Sequence, residues 1–104
     1  MFSVKFKNGK TIPATSIEES YRPEHDGKTH ISLIIQNSNA NGINLDSLKS
    51  ELTEDALSKI QVYGENKSLL ITYTGYKYIR YLTIRLQPGG AALLDANFVK
   101  ENLS

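Results

Sequence analysis

The sequence predicts a mainly β domain, a β-rich α+β fold in which about six antiparallel strands form a small sandwich or partly open barrel. Three observations support this fold class. Apolar and polar residues alternate over several short runs, Asn-Gly and Asp-Gly pairs separate two of the runs, and helical spacing of leucines occurs in one short segment between the third and fourth strands. A chain of 104 residues is the size of a single domain.

The first two strands are predicted to form a hairpin. Phe2, Val4 and Phe6 alternate with polar residues, and Asn8-Gly9 follows directly. Such a pair readily takes the positive φ angles of a type I′ turn, so we expect that turn here. A single second strand is predicted over residues 11–21, with Pro13 near an edge or a bulge because proline lacks the N–H that a ladder requires.

The third strand is predicted to lie inside the sheet. Residues 22–28 contain Pro23 and Asp26-Gly27, which predict a loop. Residues 29–36, THISLIIQ, are rich in β-branched and apolar side chains, which favours a strand buried on both sides. The asparagine-rich stretch 37–42 predicts a mobile surface loop.

A short helical segment follows this stretch. Leu45, Leu48 and Leu52 recur at three- and four-residue spacing, and Asn44 is placed to cap the first turn. Thr53 can cap a second short turn. Because helices this short are unstable alone, their leucines must pack on the sheet.

Residues 59–86 hold most of the aromatic and β-branched side chains, and the rest of the chain is expected to pack around them. Period-two alternation breaks at Gly64–Lys67 and again near Gly75, which predicts a three-strand meander. Pro88-Gly89-Gly90 ends this region. Beyond it, Leu94 and Phe98 lie four residues apart and predict a marginal helix that docks on a partner. We therefore divide the chain into a β domain, residues 1–90, and a tail, residues 91–104.

Charge and composition narrow the function classes. The formal net charge is +1, so no long-range field gathers nucleic acid or an anionic membrane. The chain has no cysteine, which excludes disulfides and thiolate ligands. No apolar run approaches the length of a bilayer span, and the start lacks a signal-peptide core, so we expect an intracellular protein without membrane contact.

Catalytic and metal-binding patterns are weak. His25 and His30 lie near two acids, but the spacing does not match strong zinc motifs, and we interpret Glu24, His25 and Asp26 as solvated loop residues. No serine lies in a Gly-x-Ser-x-Gly turn, and neighbouring carboxylates such as Glu18-Glu19 point to opposite faces of a strand. We predict that the chain is not an enzyme and binds no metal or cofactor.

The strand predicted at residues 76–85 interleaves aromatic and basic side chains. Such a strand could stack bases and hold phosphates, which makes a small nucleic-acid-binding β module the alternative function. The low net charge favours the other interpretation, in which the tyrosines are half-buried and the basic groups pair across strands with Glu18 or Glu19.

The order of features resembles a known family. Asn8-Gly9 ends the first strand, Leu45-x-x-Leu48 precedes an acidic turn, Ser58-Lys59-Ile60 opens a strand, and Tyr73-Thr74-Gly75-Tyr76 precedes the next. Over roughly residues 2–86 this pattern resembles small tail-associated proteins encoded by phages and prophages of Firmicutes. The resemblance implies a virion or baseplate role and supplies no catalytic residues.

From these observations we predict a non-enzymatic structural or assembly protein of a phage tail or baseplate. Its partners would be other phage structural proteins or further copies of itself, and it would be made in the bacterial host cytoplasm and could enter the virion. The candidate interaction surface comprises Tyr76, Tyr78, Arg80, Tyr81, Arg85, Leu94, Phe98 and Val99.

Overall fold

The structure is a computed structural model that describes residues 1–36, 43–86, 88–89 and 91–101. It confirms the mainly β fold class: two antiparallel four-stranded sheets face each other, with two short helices. The described residues form eight strands, two more than predicted. These elements are β1 (Phe2–Phe6), β2 (Thr11–Ala14), β3 (Ser16–Arg22), β4 (Lys28–Gln36), α1 (Leu45–Glu51), α2 (Glu54–Leu57), β5 (Lys59–Tyr63), β6 (Leu69–Thr74), β7 (Tyr78–Leu86) and β8 (Ala92–Lys100).

Each sheet is assembled from strands distant in sequence. Sheet I has the order β2-β1-β5-β6, and sheet II has the order β3-β4-β8-β7. The edges of sheet I are therefore β2 and β6, and those of sheet II are β3 and β7.

The hairpin of β1 and β2 is confirmed, but its turn is not type I′. Gly9 has a φ of 90° and donates its N–H to the Phe6 carbonyl at 2.9 Å, whereas Asn8 does not share the positive φ. The Asn8 side chain accepts from the Lys10 N–H at 3.0 Å and donates to the Glu51 carbonyl at 2.8 Å. Glycine alone takes the left-handed conformation, as in hairpins built on a type I turn followed by a left-handed residue.

The prediction of one strand over residues 11–21 is wrong. The chain leaves sheet I after Ala14 and enters sheet II at Ser16. Thr15, between them, donates its N–H to the Ile34 carbonyl at 2.7 Å, so the crossing is anchored on β4. Pro13 does lie on an edge strand, where its missing N–H costs no ladder hydrogen bond.

The predicted interior position of the third strand is confirmed by β4, which lies between β3 and β8. Ile31, Leu33 and Ile35 are fully buried on its inner face, and His30 is buried on the outer face. The loop predicted at residues 37–42 lies outside the described residues.

Both helix caps are confirmed. Ser47 donates its backbone N–H to the Asn44 side-chain oxygen at 3.0 Å, and Ala56 donates to the Thr53 hydroxyl at 3.2 Å. The single predicted helical segment is thus two helices, α1 and α2. Leu48 of α1 and Leu57 of α2 are buried in the core, which supplies the packing that such short helices require.

The predicted three-strand meander is wrong, although its first hairpin is confirmed. β5 pairs with β6 in sheet I, but β7 pairs with β8 in sheet II. The chain changes sheets at Gly75, whose φ is 85°, and Tyr76 is fully buried directly after it. Burial of a large side chain at this point turns the chain toward the other sheet.

The predicted helix and partner-docking tail are also wrong. Residues 92–100 form β8, which pairs with both β4 and β7 in the interior of sheet II. Leu94 and Phe98 are four residues apart, and in a strand this spacing also places two side chains on one face. Residues 92–100 therefore belong to the same domain as the preceding strands, so the division of the chain at residue 90 is not supported.

The core lies between the two sheets. The rings of Phe6 on β1 and Phe98 on β8 meet edge to face, with centroids 5.8 Å apart. The large side chains that are fully buried come from both sheets, the α2 helix and the β6–β7 crossing. They include Val4, Phe6, Ile31, Leu33, Ile35, Leu57, Ile60, Val62, Tyr76, Leu94 and Phe98.

Candidate interaction surface

Four of the eight residues predicted to form an interaction surface are buried. Tyr76, Leu94, Phe98 and Val99 expose almost no surface. Leu94 and Phe98 face sheet I, whereas Val99 lies on the outer face of sheet II, in a cross-strand row between Tyr78 and His30. These four side chains stabilise the fold and cannot contact a partner while the domain remains folded.

Tyr76 anchors the crossing between the sheets. Its hydroxyl donates a hydrogen bond of 2.5 Å to the Glu19 carboxylate on β3, and the Lys100 amine lies 5.2 Å from its ring centroid. The ring also meets Tyr73 edge to face at 6.3 Å. Burial, followed by the hydrogen bond and the charge of Glu19, raises the pKa of Tyr76 well above its ordinary value. The hydroxyl therefore stays protonated, and its hydrogen bond to Glu19 stabilises the fold.

Tyr78 is at the surface, but its hydroxyl already has a partner. The Lys28 ammonium donates to that hydroxyl at 3.1 Å and lies 5.6 Å from the ring centroid. The hydrogen bond with Tyr78, with a smaller contribution from the charges of Glu101 and Asp26, raises the pKa of Lys28. A phosphate approaching Tyr78 would compete with these contacts for the lysine charge.

The remaining predicted residues lie along β7. The Arg85 guanidinium donates to the Asp95 carboxylate on β8 at 2.8 Å, while Tyr81 is half-buried. Arg80 is exposed where the β7–β8 register shifts, and no pairing partner on β8 is assigned to it. Tyr78, Tyr81 and Arg85 therefore share the outer face of sheet II, with Arg80 at the irregular step between the two tyrosines.

A buried polar chain lies beside this strand. One nitrogen of His30, Nδ1, is 2.9 Å from the Asn97 side-chain oxygen, and the other, Nε2, is 2.9 Å from the Asp26 carboxylate. His30 is only 1% exposed, so it is not solvated as the neighbouring loop residues were expected to be. Both ring nitrogens are occupied, and within the described ranges no group of three or more histidine and acidic residues could hold a metal.

The Asp26 carboxylate links the loop after β3 to this polar chain. Burial alone would raise its pKa, but hydrogen bonds from the Lys28 N–H and from His30, together with nearby positive charge, lower it overall. These contacts close the end of the β3–β4 hairpin onto the outer face of sheet II. The hydrogen bonds of Asp26 and His30 therefore stabilise this end of the hairpin.

A cleft between α1 and β2 has few side chains that could take part in catalysis. Its lining includes Ile12, Leu48 and the cap residue Asn44, and Lys10 is the one ionisable residue among the described residues that line it. The Lys10 amine pairs with the Glu51 carboxylate at 3.0 Å. The part of the cleft wall that the structure describes therefore presents no pair of acid and base to a substrate.

The β6 edge of sheet I was not among the residues predicted to form an interaction surface. Leu69, Leu70 and Ile71 are adjacent on β6 and expose 50%, 54% and 44% of their surfaces. β6 pairs with β5 on one side, and no described strand pairs with its other side. An edge strand that exposes several aliphatic side chains is a template for another chain.

The two helices of the described chain are too short and too polar to span a bilayer. No protein-family model, no curated protein and no solved structure matches the chain.

Proposed function

We propose that this protein is a non-enzymatic assembly component that acts through protein–protein contacts at the β6 edge of sheet I. The observation that carries the proposal is the exposure of Leu69, Leu70 and Ile71 on an edge strand. Edge strands bind extended segments through backbone hydrogen bonds, and the side chains on alternate faces add specificity.

Within this class, the assembly that we consider first is a phage or prophage tail or baseplate. This finer assignment rests on the order of motifs along residues 2–86, which resembles the tail-associated family described above. A small β-sandwich with an exposed apolar edge strand suits such a role, because assembly proteins need surfaces that bind other chains and do not need catalytic groups.

Nucleic-acid binding is the less favoured function. The basic groups nearest the exposed tyrosines include Lys28 and Arg85, and both already contact neighbouring side chains. Lys28 also lies 3.7 Å from the Glu101 carboxylate, and Arg85 forms an ion pair with Asp95. Because non-specific nucleic-acid binding is mainly electrostatic, these two paired charges gain little from phosphates.

A pair of variants tests the proposed function. In the bacterium that carries the gene, tagged wild-type, Ile71→Lys and Leu86→Lys proteins would be isolated after phage production is induced. Leu86 is a matched control because it is an apolar residue 82% exposed on the edge strand of the other sheet. We expect tail or baseplate proteins to copurify with the wild type and Leu86→Lys, and to be lost with Ile71→Lys.

Two outcomes would contradict this proposal. Equal recovery of the same proteins by all three forms would remove β6 from the contact. Recovery of partners that are not phage proteins, lost with Ile71→Lys, would retain the contact and overturn the tail assignment.

A further inference from the structure

The edge strand β3 of sheet II has backbone groups that point away from the sheet. Gln36 of β4 donates its N–H to the Thr15 hydroxyl at 3.0 Å, and the Arg22 carbonyl accepts from the loop that leads to β4. Backbone direction alternates along a strand, so the even-numbered residues of β3 and β4 bond to each other. Glu19 and Tyr21 therefore direct their N–H and C=O groups to a side where no described strand lies.

Two opposite charges on β3 have no partner. Glu18 and Arg22 lie on the outer face of the strand, and within the described part of the chain neither side chain forms an ion pair or a hydrogen bond. On β4 they face Ser32 and Lys28, neither of which supplies an opposite charge. Four residues along a strand span about 13 Å, and the two side chains do not pair with each other.

The other described edge strands lack this combination. β7 carries arginines but no acid, and β2 and β6 carry no charged residue. When a strand pairs antiparallel with an identical strand across a twofold axis, positions at equal distances from the axis face each other. Only a strand with charges of both signs can then match its own charges, and β3 meets this condition.

We infer that β3 pairs with β3 of a second copy of this chain, antiparallel across a twofold axis that passes beside Ser20. In this register Glu18 of each copy faces Arg22 of the other, so both charges gain a partner. Glu19 faces Tyr21 across the copies, and their outward backbone groups form the hydrogen bonds of the new ladder. The two copies of sheet II become one eight-stranded sheet.

Neighbouring registers are less favourable. A centre on Glu18 or Glu19 sets that carboxylate opposite its own copy, which is destabilising. A centre on Tyr21 would pair Glu19 with Pro23, which has no N–H to donate. β3 pairs with β4 through consecutive residues over its whole length, so its edge is regular through the proposed contact.

A dimer through β3 goes beyond the proposed function. β3 and β6 belong to different sheets, so the dimer leaves the β6 edge of both copies available to other proteins. A pairing of this length covers less than the roughly 1,000 Å² that stable interfaces exceed, so the dimer should dissociate on dilution. Because its matched charges are at the surface, it should also weaken as salt rises.

Charge reversal tests the pairing by sedimentation. Glu18→Arg or Arg22→Glu alone sets like charges opposite each other twice, and should raise the dissociation constant of the dimer by about tenfold or more. The double variant exchanges the two signs and should restore association. Association that is unaffected by the single reversals, or that the double variant does not restore, would overturn the inference.

Cysteine crosslinking tests the register. The chain has no native cysteine, so a single Ser20→Cys variant can form a disulfide only between copies. Ser20 faces its own copy in a pair without backbone hydrogen bonds, where Cα atoms lie about 4.5 Å apart, a distance that a disulfide bridges. Ser16→Cys is the matched control, because Ser16 is the more exposed serine of the same strand and does not face its own copy. We expect a crosslinked dimer from Ser20→Cys and little from Ser16→Cys, and equal crosslinking would contradict this register.

The β3 dimer and the β6 contact can fail separately. Ile71→Lys should dimerise like the wild type, and loss of the dimer in this variant would overturn the assignment of the contact to β3. A wild type that stays monomeric at about 1 mM would overturn the dimer. Capture of phage proteins that is lost with Ile71→Lys would still support the proposed function in that case.

Discussion

The edge strands β6 and β7 both contain tyrosine and both expose large apolar side chains. They differ in how many of their exposed groups already contact other residues of the domain. On β7, Arg85 pairs with Asp95 and the hydroxyl of Tyr78 accepts from Lys28. On β6, the aliphatic side chains of Leu69–Ile71 are largely exposed, and its outer backbone edge has no neighbouring strand among the described residues. The number of aromatic and basic residues is therefore a poorer guide to an interaction surface than the number of groups that still lack a partner.

A second contrast sets one residue of the predicted interaction surface against an apolar residue that was not part of it. Phe98 lies in the centre of sheet II against Phe6, whereas Leu86 at the end of β7 is 82% exposed. Phe98 was predicted to contact a partner and Leu86 was not, but the structure places Phe98 in the core and Leu86 in solvent. Substitutions can measure this difference directly.

The largest expected effect is the loss of stability in Phe98→Ala. Truncating a fully buried phenylalanine removes its packing and leaves a cavity, so the free energy of unfolding should fall by about 3–5 kcal/mol. Leu86→Ala should change it by no more than about 0.5 kcal/mol, because surface substitutions are usually neutral. Chemical denaturation of both variants would measure this. If Phe98→Ala were as stable as the wild type, Phe98 would not be a core residue, and the interior position of β8 would be contradicted.

An intermediate effect is expected for Tyr76→Phe, which removes the hydrogen bond to Glu19 and leaves the ring in place. The loss should cost about 1.5–3 kcal/mol, the usual range for a hydrogen bond to a charged group. Tyr21→Phe is the control, since Tyr21 is an exposed tyrosine on β3.

Alkaline titration of the same variants adds a second measurement. The raised pKa of Tyr76 means that the folded state keeps a proton that the unfolded state begins to lose near pH 10. Stability from this group is complete below pH 10 and declines above it. Wild type and Tyr21→Phe should therefore lose stability more steeply above pH 10 than Tyr76→Phe does. Identical slopes in all three would show that Tyr76 is not a buried hydrogen-bonded group.

The smallest effect is expected for Arg80→Ala combined with Arg85→Ala. Arg85 makes an ion pair at the surface, and such pairs contribute about 0–1 kcal/mol, so the double variant should remain folded. We expect no binding of single-stranded DNA by either form in a low-salt gel shift. Binding by the wild type that weakens steeply with salt and disappears in the double variant would make β7 the functional strand instead of β6.

Features determined by neighbouring residues could be predicted from the sequence. The Asn44 and Thr53 caps depend on backbone groups three residues away, and the strands flanking Asn8-Gly9 on one local turn. The pairing of β7 with β8 in sheet II could not be predicted. It depends on the burial of Tyr76 beside Glu19, which lies 57 residues earlier in the chain.

The candidate site was difficult for a related reason. Spacing of four residues suits one face of a helix and also one face of a strand, so Leu94 and Phe98 did not distinguish the two. The aliphatic run Leu69–Ile71 was visible in the sequence, but its significance depends on β6 being the outermost strand of sheet I. Which strand lies at an edge is decided by the whole topology, which local patterns do not contain.

The position of β8 has a consequence for how the protein is made. Every strand of sheet I has left the ribosome once Thr74 has emerged, but sheet II lacks the edge strand β7 and the inner strand β8 until residues 78–100 follow. Until then the nascent chain holds β4 with one bare side and Ile31, Leu33 and Ile35 partly uncovered. Late closure of this kind requires contacts between distant segments, which form slowly and leave the growing polypeptide open to misassembly or to capture by a chaperone.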